Sequence, residues 1–222
     1  MDINQFLSDN ALNMKPSPIR ELLSMINKPG MISFAGGFPN PLSFPIPEIK
    51  QIMNEVLDEQ GTQALQYGGT DGNRSLREEI AKRYIKQGMD IDADNIIITT
   101  ASQQAIDLTA RVFVNPGDTV VVGLPSYLGA LQAFNSVRAN IVGAEKDEEL
   151  EAVVRARCMS GKKPKFIYAI PDFQNPSGLT MTVEQRKYMV HIARKYDLLI
   201  VEDSPYREIR FEGEHQPLIA TM

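Results

Sequence analysis

Apolar residues along this chain follow two spacings, and the two take turns. Ile49, Ile52, Met53, Val56 and Leu57 recur every three or four positions, as do Leu76, Ile80, Tyr84 and Ile85. Both sets predict helices, the second closing at Gly88. Ile96 to Thr99 is a short β-branched run that predicts a buried strand. A helix through Ala105, Leu108, Thr109 and Val112 follows, and Asn115-Pro116-Gly117-Asp118 reads as a turn. Further strands are predicted at Thr119 to Val122, Ala139 to Val142, Phe166 to Ile170 and Leu198 to Val201. Between them lie helices after Ser126, over Asp147 to Met159, and over Thr182 to Tyr196. The last opens on a capping box of Thr182 with Gln185.

The first 45 or so residues read differently. Ile19, Leu22, Leu23 and Ile26 predict a helix with Pro18 in its first turn, ended by Asn27 to Gly30. Ile32 to Pro39 is an apolar run closing in a glycine turn, and Pro39, Pro41, Pro45 and Pro47 make the next stretch irregular. The expected division is an arm over residues 1–45 and a larger domain over 46–222. Short apolar strands separated by helices predict a three-layer α/β/α fold with a mainly parallel sheet. In such sheets ligands bind beyond the carboxyl ends of the strands. Functional residues are therefore expected immediately after strands.

Composition narrows the function classes. At 222 residues, 43% hydrophobic and 23% charged, the chain has the balance of a soluble globular protein with room for a sizeable core. Its net charge of -5 gives no field that would draw it to nucleic acid or anionic lipid. Lys162, Lys163 and Lys165 cluster, and read as a solvated loop before a strand. One cysteine, Cys158, and two distant histidines, His191 and His215, support neither a disulfide nor a metal site. No stretch is long and apolar enough to span a membrane, and residues 1–19 do not read as a signal peptide, so cytoplasmic residence is the expectation.

Four segments sit where chemistry is expected. Thr100-Ala101-Ser102-Gln103-Gln104 joins a strand to a helix, where free N–H groups and hydroxyls bind anions; it also reads as an ordinary N-cap. Pro125-Ser126-Tyr127 places an aromatic after a strand, for stacking on a flat ring or merely packing beside a turn. Pro171 to Gly178 holds the Asn175 amide between two prolines and a glycine, although Asn-Pro is also a common turn starter. Glu202-Asp203-Ser204-Pro205-Tyr206 ends a strand on carboxylates, which is costly unless a cationic or protonated partner meets them; a solvated strand end is the alternative. Together the four offer a phosphate cradle, a stacking ring, an amide for a ring oxygen, and a carboxylate for a ring nitrogen beside a phenol. That set fits pyridoxal phosphate.

The order and spacing of Pro18 to Glu21, Ser33 to Pro39, Tyr67 to Gly72, Ala101 to Gln104, Pro125 to Tyr127, Asn175 to Gly178 and Glu202 to Tyr206 resemble the fold-type-I, class I/II aminotransferases. The nearest branch is that of the 2-aminoadipate and kynurenine aminotransferases. The resemblance implies that Ser102, Gln103 and Gln104 hold the cofactor phosphate and that Tyr127 stacks on the pyridine ring. Asn175 and Tyr206 would bond the ring oxygen, and Asp203 would pair with the ring nitrogen. Tyr67 would reach the phosphate of the partner subunit's site in a homodimer. Gly36 and Gly37 would line the substrate pocket, and Arg20 would meet the distal end of the substrate. Residues 1–45 become the arm and substrate lid, and 46–222 the first part of the cofactor-binding large domain.

There are departures. Ala101 stands where the family usually has glycine, which is harmless if its backbone is not left-handed. Ser204 stands where a second acidic residue is frequent. The family's Schiff-base lysine lies some tens of residues beyond Tyr206, and none of the eleven lysines present has the matching context. The expectation is that the chain corresponds to a portion ahead of the small domain and that these 222 residues alone do not transaminate. The implied reaction passes an amino group from an amino acid to a 2-oxo acid such as 2-oxoglutarate. Other cofactor chemistry (β-elimination, decarboxylation, racemisation) and a non-catalytic ligand-binding module are the alternatives.

Overall fold

The computed structural model describes residues 2–13, 32, 37 and 39–222, so the helix predicted around Ile19 to Ile26 lies outside the described residues. The chain forms two compact units, residues 13–70 and residues 71–222 with 1–12. Helix α1 (Asp9–Asn13) is held by Arg138, whose guanidinium donates to Asp9 and Asn10. Helix α2 (Ile46–Ala64) lies within residues 13–70. Its predicted stripe of Ile49, Ile52, Met53, Val56 and Leu57 is exposed.

In the larger unit the four strands are β1 (Thr119–Gly123), β2 (Asn140–Ala144), β3 (Phe166–Ala169) and β4 (Leu199–Glu202). They form one parallel sheet in the order β2-β1-β3-β4. Helix α3 (Arg74–Ile85) starts where the Asn73 side chain accepts from the Leu76 N–H. Helices α4 (Ala101–Phe113) and α5 (Leu128–Ser136) cover one face of the sheet, while α6 (Asp147–Met159) and α7 (Val183–Tyr196) cover the other. The strand period of two explains the sorting. Val120, Val122, Phe166 and Tyr168 face α4 and α5, whereas Val121, Ile167 and Ala169 face α6 and α7. This is the three-layer architecture expected. Phe134 of α5 is fully buried and meets Phe166 and Tyr168 edge-on, each at 5.4 Å between ring centroids. The Thr182–Gln185 capping box opens α7, and Asp197 closes it in the left-handed conformation at φ 52°.

One predicted element changes. Ile96 to Thr99 forms no strand. Ile96 is extended (φ -118°, ψ 134°), but the segment's one backbone bond to a residue far along the chain runs from Ile98 N–H to the Asp71 carbonyl at 3.0 Å, and Ile97 is 68% exposed. β-branched residues favour an extended backbone, but a strand also needs a neighbour to complete its ladder. No strand pairs with this segment among the described residues.

Candidate functional site

The candidate residues of the larger unit converge beyond the carboxyl ends of β1, β3 and β4. At the start of α4 the N-cap, Thr100, makes no side-chain capping bond. Its own N–H is taken by Gln104 Oε1 at 2.5 Å, and Thr99 Oγ1 donates to the Ala101 carbonyl at 3.0 Å. These bonds hold the entry to the helix while Ser102 and Gln103 stay exposed at its first turn. Ala101 has φ 57°. The condition under which its methyl group would be harmless is therefore not met: the residue is in the left-handed region, where a side chain costs about 1–2 kcal/mol and glycine does not.

Gln103 and Tyr127 bind α4 to the start of α5. Gln103 Nε2 donates to the Gly129 carbonyl at 3.0 Å, and Tyr127 Oη donates to Gln103 Oε1 at 3.2 Å. Gly129 makes this approach possible. A Cβ there would stand 2.6 Å from Tyr127 Cε1 and Cζ, so any larger residue would push the tyrosine ring away.

The loop after β3 is tied to the loop after β1 by Gln174 Nε2, which donates to the Pro125 carbonyl at 2.6 Å. The Leu124-Pro125 and Asn175-Pro176 peptides are both cis. Asn175 Nδ2 donates to Tyr206 Oη at 3.3 Å, so the amide and the phenol already face one point.

Asp203 follows β4 directly. Its N–H continues the ladder to the Ala169 carbonyl at 2.9 Å. Its carboxylate accepts a 2.6 Å bond from Tyr168 Oη, the residue that sequence reasoning missed. Burial pushes the Asp203 carboxyl above the usual carboxylate range, and the Tyr168 hydrogen bond opposes that shift. Burial and the adjacent Asp203 charge hold the Tyr168 phenol well above its ordinary value, so it stays protonated and donates. Asp203 has no cationic partner among the described residues. Its neighbour Glu202 is also pushed up by burial, though its carboxylate accepts from the Ile219 and Ala220 N–H groups at 3.2 Å. Ser204 Oγ is buried and lacks a hydrogen-bond partner. Ser102, Asp203 and Ser204 all border a cavity of about 500 Å³ that also touches Tyr84, Ile96 and Leu218. Nothing in the sequence singles out Tyr168: it lies in the apolar run of β3, and only the pairing of β3 with β4 brings it to the carboxylate.

Tyr67 and Gly37 belong to the smaller unit; Tyr67 is fully exposed, and a Cβ at Gly37 would meet nothing within 4 Å. Arg20 and Gly36 lie outside the described residues.

An uncapped helix start, a ring beside it, a paired amide and phenol, and a half-buried carboxylate without a cation among the described residues make up one site at the carboxyl end of a parallel sheet. Residues 30–221 match the family Aminotransferase class I and II. The chain belongs to this family. It is 44% identical to the aromatic-amino-acid aminotransferase 1 of Thermococcus litoralis, across 96% of this chain and 53% of that protein. Its fold superposes with a TM-score of 0.93 on the Pyrococcus horikoshii kynurenine aminotransferase, solved in complex with PMP, KYN and KYA, at 43% identity over 99% of this chain and 56% of that one. For LysN, the α-aminoadipate aminotransferase of Thermus thermophilus complexed with N-(5'-phosphopyridoxyl)-L-leucine, the TM-score is 0.85 at 33% identity, covering all of this chain and 55% of that one. The chain thus spans about half the length of the relatives it matches.

Proposed function

We propose that the site holds pyridoxal 5'-phosphate, in a protein that moves an amino group from an amino acid to a 2-oxo acid, with 2-oxoglutarate as the acceptor. The observation that carries this is Asp203: a half-buried carboxylate at a strand end, held by a phenol and lacking a cation among the described residues. A protonated pyridine nitrogen supplies that cation. The uncapped start of α4 suits a phosphate, because a helix N-terminus favours an anion.

In this reading Ser102, Gln103 and Gln104 hold the phosphate and Tyr127 stacks on the ring. Asn175 and Tyr206 bond the ring oxygen. Asp203 keeps the ring nitrogen protonated, and Tyr168 keeps Asp203 ionised and pointed. When bound, the cofactor supplies an electron sink for the substrate carbon that loses its proton. Arg20, Gly36 and Gly37 contact the amino acid, and Tyr67 reaches the second site of a homodimer. The resemblance to relatives that take aromatic, aminoadipate or kynurenine substrates supports a large or acidic amino acid as donor. Cytoplasmic residence fits a chain in which no described helix is long and apolar enough to cross a membrane.

The test is titration calorimetry of the chain with pyridoxamine 5'-phosphate, which needs no covalent anchor. Binding should be at least about tenfold tighter than that of inorganic phosphate, a difference of ~1.4 kcal/mol. Asp203→Asn should remove most of that margin. Equal affinity for both probes would sink the reading.

A further inference from the structure

Another carboxylate of the larger unit, Asp172, has surroundings that are the reverse of those of Asp203. It is fully buried and meets three arginines. Arg186 Nη2 lies 2.9 Å from Oδ1, Arg207 Nη1 lies 3.1 Å from Oδ2, and Arg210 Nη2 lies 3.3 Å from Oδ1. Each arginine carries the network further. Arg186 donates to the carbonyls of Pro171, Met181 and Pro217. Arg207 donates to Gln87 Oε1 at 3.0 Å and to the Gln216 carbonyl at 2.5 Å. Arg210 lies over the ring of Phe173 at 4.6 Å, and Phe173 itself sits at φ 51°, an unfavourable conformation for an aromatic residue.

The positions of these residues in the chain give the cluster its meaning. Asp172 is three residues before Asn175, and Arg207 is the residue after Tyr206. The Asp172–Arg207 pair therefore joins the loop that carries the amide to the segment that carries the phenol. Those loops follow different strands, and their functional tips meet through the 3.3 Å bond of Asn175 to Tyr206. Arg210 adds a second tie between the same segments and covers the ring of Phe173, the residue after Asp172.

We propose that Asp172, acting through Arg207 and Arg210, is a positioning residue that sets the spacing of Asn175 and Tyr206 for a ring oxygen. This rests on the cofactor reading given above. Buried, hydrogen-bonded charge pairs hold geometry more tightly than single neutral bonds, because their distances are short and their directions fixed. Arg210 Nε is buried without a partner among the described residues, so Arg207 is the stronger of the two ties. A shift of the two loops would then be felt first at the ring oxygen, where both tips meet.

The experiment compares two probes, pyridoxamine 5'-phosphate and its analogue lacking the 3-hydroxyl group, by titration calorimetry. The intact chain should prefer the hydroxylated probe, and Asn175→Ala or Tyr206→Phe should reduce that preference. Asp172→Asn and Arg207→Lys should cut it by about tenfold while leaving the affinity of the 3-deoxy probe unchanged. Arg207→Lys keeps the charge but loses the fork, so it decides the matter if Asp172→Asn does not fold. Val154→Ala, a core truncation in α6, serves as the destabilised reference whose preference should stay intact. The positioning role is overturned if Arg207→Lys keeps the preference, or weakens both probes equally. An intact chain that binds neither probe overturns the cofactor reading instead.

Discussion

Asp172 follows the inner strand β3 and is fully buried, Asp203 follows the edge strand β4 and is half-buried, and the two carboxylates live in opposite electrostatic surroundings. Asp172 has three guanidinium groups around it. Asp203 has one neutral phenol. The first is satisfied by the fold and can take no further part in chemistry without unravelling the loops it holds. The second is left short of positive charge, and the protein carries the cost of that shortage until something cationic arrives. The contrast separates a carboxylate that organises a site from one that waits for a ligand, without reference to any other protein.

The comparison breaks most visibly at Asp172. Asp172→Asn leaves two buried arginines, Arg186 and Arg207, and the partly buried Arg210 without their common anion and should destabilise the chain by about 3–5 kcal/mol. A denaturant titration measures it, and a loss under ~1 kcal/mol would mean that the cluster is far wetter than its burial indicates. Asp203→Asn should do the opposite to the ligand-free protein and raise its stability at neutral pH, because it removes a charge that burial disfavours. The same change should remove most of the margin of pyridoxamine 5'-phosphate over inorganic phosphate. Gain of stability with loss of binding in one variant is the signature of a site residue; loss of both would place Asp203 with Asp172.

The pH dependence sharpens the same point. Burial raises the Asp203 carboxyl, so the folded chain binds that proton more tightly than the unfolded chain. Its contribution to stability is full below the unfolded value, about 3.9, and falls as pH rises through the folded value. The melting-temperature advantage of Asp203→Asn over the parent chain should therefore be near zero below about pH 4 and grow with pH. An advantage that shrinks with pH would reverse the assignment.

Smaller effects follow. Ala101→Gly relieves a left-handed alanine and should stabilise the chain by about 1 kcal/mol, seen as a higher denaturant midpoint with an unchanged slope. Tyr168→Phe removes one hydrogen bond to Asp203 and should cost about 0.5–1.5 kcal/mol of probe binding, with the carboxyl titrating higher by carbon NMR. An unchanged titration would show that Tyr168 only packs.

The layers were legible in the sequence because they rest on periodicity. The helix over Asp147–Met159 and the capping box of Thr182 and Gln185 follow from local spacing alone. Asn175 and Tyr206 were legible as candidates because they lie in proline-punctuated loops after strands. What was not legible depends on neighbours far along the chain. Ile96 to Thr99 has the residues of a strand, but a ladder is a property of two segments. Tyr168 sits in an apolar run that looks like core, and its function comes from β4, more than thirty residues later. The three arginines around Asp172 are scattered among ordinary surface-like positions, and only folding gathers them. Ala101 could be seen as a departure, but the sign of its backbone angle could not.

The outer edge of β4 has a practical consequence. Leu199 is about half exposed at its start, and at its end Glu202 tethers the Ile219–Thr221 turn. No strand covers that edge among the described residues, and an open row of backbone donors and acceptors is a template for another chain. Working concentration thus becomes a structural variable: light scattering on gentle heating should rise steeply with protein concentration, and a lysine at position 199 should delay its onset.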